Sequence, residues 1–108
     1  MSIQHTEASD AVVTLGFFIR VEAKPGREAE VEARLKAAVE VVRQEPDTIV
    51  WLALRLGPST FAIVDAFPHE SGRQAHLEAG RDRLMEGSDV FAEPPALVPT
   101  DILAAKLP

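Results

Sequence analysis

The stretch Thr48 to Leu56, Thr-Ile-Val-Trp-Leu-Ala-Leu-Arg-Leu, constrains the fold more than any other part of the chain. Its β-branched, aromatic and other apolar residues suit an extended strand. In such a strand Ile49, Trp51 and Ala53 point to one face, and Val50, Leu52, Leu54 and Leu56 to the other. Arg55 is the one charged position near its end. Both faces therefore need cover, whereas a sheet with helices on one side and water on the other should alternate apolar and polar residues. At about 25 cal/mol per Å² of apolar surface, a wet face forgoes several kcal/mol, comparable with the net stability of a small domain. A second copy of the same face across a two-fold axis supplies the cover, so a homodimer is expected.

The other elements arrange themselves around this strand. Val12 to Ala23 reads as a first strand, with Leu15, Phe17, Ile19 and Val21 on one face and Arg20 and Glu22 on the other. Lys24-Pro25-Gly26 breaks it, and a helix begins near Arg27 with Glu28 and Glu30 at its positive end. Val31, Leu35, Ala38, Val39 and Val42 recur at helical spacing, and Glu45-Pro46 ends the helix close to Gln44. Gly57-Pro58-Ser59 turns the apolar strand into a third, Thr60 to Phe67, closed by Pro68. Ser71 to Ala79 is helical in composition, Gly80 is a candidate interruption, and Arg81 to Glu86 reads as a further short helix capped by Gly87. Phe91 to Pro95 forms a rigid connector, and a last strand is expected from about Val98 to Lys106. The order β-α-β-β-α-β is the split βαβ pattern of an α+β domain: a four-stranded antiparallel sheet with helices on one face.

A chain of 108 residues holds one core, which leaves a tail over residues 1–11 and a single domain over 12–108. The net charge of −6, with no cluster of Lys and Arg, argues against a nucleic-acid partner. The absence of cysteine removes disulfides, thiolate metal sites and cysteine nucleophiles. No apolar run suits a membrane span, so neither a membrane partner nor a location outside the cytoplasm is expected. There is no Gly-rich phosphate loop, Ser/His/Asp nucleophile pattern or dinucleotide fingerprint.

Four segments together carry a family resemblance: Lys24-Pro25-Gly26-Arg27-Glu28, Arg43-Gln44-Glu45-Pro46, Phe61-Ala62-Ile63-Val64-Asp65-Ala66-Phe67 and Gln74-Ala75-His76-Leu77. From about Leu15 to Lys106 the chain resembles the antibiotic biosynthesis monooxygenase domain. That resemblance implies a ferredoxin-like protomer pairing into a dimeric α+β barrel, with a pocket between sheet and helices. It also implies oxidation of an aromatic, phenolic or quinol-type compound without metal, flavin or other cofactor. Two departures are mild: Asp47 stands where the family usually has Gly, and Asp65 where it often has Glu. Haem-degrading relatives use an Asn, a Trp and a His together. This chain has no Asn, and its one Trp, Trp51, lies in a strand, so haem degradation is not expected. It also lacks the Tyr that polyketide oxygenases of the family use.

Among residues able to carry chemistry, His76 comes first, because a near-neutral pKa lets it take a proton from a phenol or hydroquinone. The alternative is a helix histidine hydrogen-bonded to a strand or to water. Asp65 shares a strand face with Phe61, Ile63 and Phe67, so it requires a partner or a cavity, with Arg20 or Arg55 as candidate partners; a structural ion pair competes with a catalytic role. Trp51, Phe61 and Phe67 are candidate pocket walls for a flat ligand, or plain core. Arg81 and Arg83 could meet an anionic or phenolate group, or be solvated helix charges. His5 and His69 have no helical spacing to His76, so no metal site is expected. A non-catalytic dimeric binding protein for a small hydrophobic metabolite and a structural dimerisation module are the competing functions.

Overall fold

Alternation along the first strand and the hairpin that follows the first helix generate one sheet, seen in a computed structural model that describes residues 13–108. The elements are β1 (Leu15–Glu22), α1 (Glu28–Val42), β2 (Val50–Arg55), β3 (Thr60–Phe67), α2 (Glu70–Glu86), a 3-10 turn (Gly87–Val90) and β4 (Ala96–Asp101). The strands lie in the order β2-β3-β1-β4, and every neighbouring pair is antiparallel. This is the ferredoxin-like α+β arrangement expected from the element order. The expected N-terminal tail lies outside the described residues.

Register decides which side chains share a face. Trp51, Asp65, Phe17 and Pro99 form one row across the four strands, and Ala53, Ile63, Ile19 and Leu97 form the next. Both rows face the helices. Phe17, Ile19, Val21, Phe61, Ile63 and Phe67 make the core there, joined by Val31 of α1 and by Val90. Each helix leans on the sheet, yet the two do not approach one another, so a slot remains between them.

On the opposite face Leu52, Val64, Phe18 and Val98 line up across all four strands, flanked by Leu54, Ala62, Arg20 and Ala96. Leu52 is 51% exposed and Val98 50% exposed, so the central row of this face is apolar and wet. Arg20 is the one charged group in the two rows.

Three boundaries differ from expectation. The helix α2 runs unbroken through Gly80, because a penalty of about 1 kcal/mol for one glycine does not outweigh a helix packed on the core by Leu77 before it and Leu84 after it. The last strand begins and ends early, at Ala96 and Asp101. Its partner β1 starts at Leu15, which pairs with Asp101, so beyond Ile102, whose N–H reaches the Thr14 carbonyl, no neighbour remains. Pro99 is tolerated because β4 is an edge strand and its missing donor breaks no ladder on the outer side. The apolar second strand is regular over Val50–Arg55, while Ile49 and Leu56 at its ends still donate backbone N–H bonds to Ala66 and Thr60 of β3. Among the described residues no helix is long and apolar enough to cross a membrane.

Gly26 turns the chain from β1 into α1 at φ 84°, a conformation that side-chain-bearing residues rarely adopt. Gly16 answers to space instead: a Cβ there would lie 2.0 Å from the Asp65 carbonyl oxygen. Replacing Gly16 with Ala must push β1 away from β3. Urea denaturation of Gly16→Ala is expected to show a loss of about 2 kcal/mol or more.

Candidate functional site

Position 65 lies between Ile63 and Phe67 on the helix-facing side of β3, and the carboxylate there is fully buried. One of its oxygens, Oδ1, accepts the backbone N–H of Phe17 at 2.8 Å. The other, Oδ2, lies 3.2 Å from Nε2 of His76. That ring N–H does not point squarely at it, so the contact is an ion pair and Oδ2 has no well-aligned donor. His76 descends from α2 and rests against the Phe67 ring, 5.3 Å between centroids. Its Nδ1 lies 2.5 Å from Oε1 of Glu45, which also accepts the Thr48 hydroxyl at 2.8 Å. Glu45 belongs to the connection between α1 and β2, and that connection sits tightly on α2. A Cβ at Gly72 would come within 2.8 Å of the Asp47 side chain.

A carboxylate beside each ring nitrogen favours the protonated form of the ring. Burial works against the charged ring, but the nearby carboxylate of Asp65 and the hydrogen bond and charge of Glu45 outweigh it and raise the His76 pKa above its ordinary value. Because the carboxylates occupy opposite edges of the ring, the three groups do not converge on a point. Among the described residues no three such side chains form a metal-ligand set.

The slot between the helices opens into a cavity of about 520 Å³. This is the size range of small-molecule sites. Phe17, Ile19, Ile63 and Trp51 form its floor, Leu35, Ala38 and Val41 one wall, and His76, Leu77, Gly80 and Leu84 the other. Arg34, Arg81, Arg83 and Glu86 provide its charges. The missing side chain of Gly80 creates part of the space, since a Cβ there would meet nothing nearer than the Arg83 guanidinium at 3.8 Å.

Among the residues singled out from the sequence, the fold brings Asp65 and His76 together and puts His76, Trp51 and Arg81 on the cavity wall. Phe61 and Phe67 are packed in the core and do not line the cavity. Neither expected arginine reaches Asp65. Arg20 projects from the opposite face of the sheet, and Arg55 pairs with Glu32 of α1 while its guanidinium lies over the Phe61 ring. Sequence reasoning missed Glu45, which reads only as the residue before a helix-ending proline; its bond to His76 spans 31 positions and leaves no local signal. Arg34 was discoverable, being an arginine on the Val31, Leu35, Ala38 stripe.

A four-stranded antiparallel sheet with both helices on one face and a cavity beneath them defines a ferredoxin-like α+β protein. Among solved structures, the NE2512 protein of unknown function from Nitrosomonas europaea is 40% identical and superposes with a TM-score of 0.85, covering 91% of this chain and 97% of that one. The chain belongs to the same family as that protein. Two more distant structures share the fold, both candidate antibiotic biosynthesis monooxygenases by name. One, from Nitrosomonas europaea, is 19% identical with a TM-score of 0.72, covering 85% of this chain and 92% of that one. The other, from Caulobacter crescentus, is 17% identical with a TM-score of 0.71, covering 93% and 99%. No protein-family model matches the chain, and no curated protein does.

The raised pKa of His76 couples the site to stability. A group whose pKa is higher folded than unfolded stabilises the fold fully below the unfolded value, near 6.5 for histidine, and loses that contribution as pH rises through the folded value. The midpoint of urea unfolding is therefore expected to fall as pH rises from about 6.5. A His76→Gln variant is expected to lack that decline, and an identical slope in both proteins would disprove the assignment.

Proposed function

We propose that this chain is a cofactor-independent, monooxygenase-like enzyme that oxidises a small aromatic, phenolic or quinol-type compound held between the helices and the sheet. The observation that carries the reading is the apolar cavity with His76 in its wall, its two ring nitrogens backed by Asp65 and Glu45. The shared fold with proteins named as candidate antibiotic biosynthesis monooxygenases supports it. In this reading Trp51 and Phe17 take the flat face of the substrate, and the Asp65–His76–Glu45 cluster takes its proton. A neutral His76 ring takes the proton, the carboxylates of Asp65 and Glu45 stabilise the charged ring that results, and Glu45, the most solvent-exposed member, relays the proton to water. The deprotonated, electron-rich ring then reduces dioxygen. At an activated ring methylene, one oxygen atom becomes the new carbonyl and the other leaves as water with the two hydrogens of the carbon. The substrate supplies the electrons, so no flavin or metal is required.

The engagement of both His76 nitrogens favours one alternative, a binding protein for a small hydrophobic metabolite in which the cluster is purely structural. Oxygen uptake with a panel of hydroquinones and anthrones separates the two. The enzyme reading expects one O₂ consumed per methylene oxidised, with kcat lowered about 10² to 10⁴-fold in His76→Gln. Ligand binding with no oxygen uptake across the panel selects the binding protein.

The working unit in this proposal is a homodimer joined through the open sheet face, where Leu52, Val64, Phe18 and Val98 would otherwise stay wet. Sedimentation at micromolar concentration is expected to give a dimer, and Leu52→Glu with Val98→Glu a protomer. A wild-type chain that sediments as a lone protomer refutes this assembly.

A further inference from the structure

The chain is acidic, with 17 Asp and Glu against 11 Lys and Arg, and its arginines are correspondingly well supplied with partners. Arg27, Arg34, Arg43, Arg55 and Arg73 each pair with a carboxylate. Arg20, on the far face of the sheet, does not, and neither do Arg81 and Arg83: among the described residues these two make no ion pair or side-chain hydrogen bond, although Glu78 and Glu86 stand three positions away on the same helix. Both instead line the cavity. The charged side chains around that cavity are three arginines against one glutamate, the reverse of the balance over the whole chain. Arg34 is already committed, to the Gly87 carbonyl at 3.0 Å and to Asp89 at 3.1 Å. The guanidinium of Arg83 lies beside Gly80, where the missing side chain opens the wall.

We propose that the ligand of this cavity is an amphipathic organic anion, an aromatic carboxylic acid or its like, whose apolar body fills the space and whose anionic head is held at the rim by Arg81 and Arg83. The inference rests on the reading of the cavity as the ligand site and adds the class of molecule that it selects. A guanidinium is weakly hydrated and presents a planar fork of donors matched to a carboxylate, so it gives up little by leaving water for such a partner. An apolar wall beside it lowers the local dielectric and strengthens the contact. Set in an otherwise negative surface, the positive mouth also focuses anions toward the opening. Glu86, one turn beyond Arg83 on the same helix, disfavours an anionic head at that end of the mouth.

A matched pair of probes tests this on the intact protein: anilinonaphthalene sulfonate, and phenyl-naphthylamine, which has the same aromatic body without the sulfonate. Trp51 is the only tryptophan and lines the cavity, so energy transfer from it reports occupancy. The sulfonate is expected to bind about tenfold or more tightly than the neutral probe, with an advantage that shrinks as salt rises. In Arg81→Gln with Arg83→Gln, two exposed changes that leave the core intact, that advantage should vanish while the neutral probe binds as before. Equal affinity for the two probes, or an advantage that survives both substitutions, overturns the anion inference and leaves the cavity reading standing. If neither probe quenches Trp51, the cavity reading falls as well. Gly80→Leu, which fills the opening, is expected to exclude both probes; unchanged binding by a folded variant would mean that they sit elsewhere.

Discussion

The buried carboxylate of Asp65 is the constraint around which this fold is arranged. A carboxylate placed between Ile63 and Phe67 cannot stay unpartnered without a penalty larger than the fold can absorb. The partners that satisfy it come from three separate parts of the chain: the Phe17 N–H from β1, the imidazole ring of His76 from α2, and, through that ring, Glu45 from the turn after α1. One polar group thus ties β1, β3, α2 and the α1–β2 connection to a single geometry. The tight seat of that connection on Gly72 and the close strand approach at Gly16 belong to the same arrangement.

That polar anchor has a consequence for the space above it. Because α2 is held at its first half by His76 and α1 by its own apolar stripe, each helix is fixed to the sheet and not to the other. The gap between them is lined by small residues, Ala38 and Gly80 among them, and stays open as a cavity. His76 is therefore both a buttress of the fold and a wall of the site. The carboxylates that raise its pKa against the effect of burial also set the limits within which it can handle a proton.

The two faces of the sheet divide the labour. The helix side holds the core, the ion cluster and the cavity; the other side carries the row Leu52, Val64, Phe18 and Val98 with a single arginine in its two central rows. An exposed row of that kind is the feature that a second copy would cover. The proposed ligand site and the proposed dimer face thus lie on opposite sides of the sheet.

Much of this architecture was legible in the residues themselves. Period-two alternation in Leu15 to Val21, the helical stripe from Val31 to Val42 and the Gly57-Pro58 turn state the element order directly, because backbone geometry imposes those spacings locally. The apolar two-sidedness of Val50 to Leu56 states that one face of the sheet has no helix to cover it. Strand ends were less legible, since β4 stops where β1 runs out and not where its own composition changes. The site was legible only in part. His76 and Asp65 stood out as polar groups in apolar surroundings, but that they meet, and that Glu45 closes the other edge of the ring, depends on contacts spanning tens of residues that no local pattern encodes. The sequence by itself determined the fold class and the inventory of reactive groups, while tertiary structure alone decided which of them share a site, because pairing across strands and between helix and turn is fixed by packing and not by spacing along the chain.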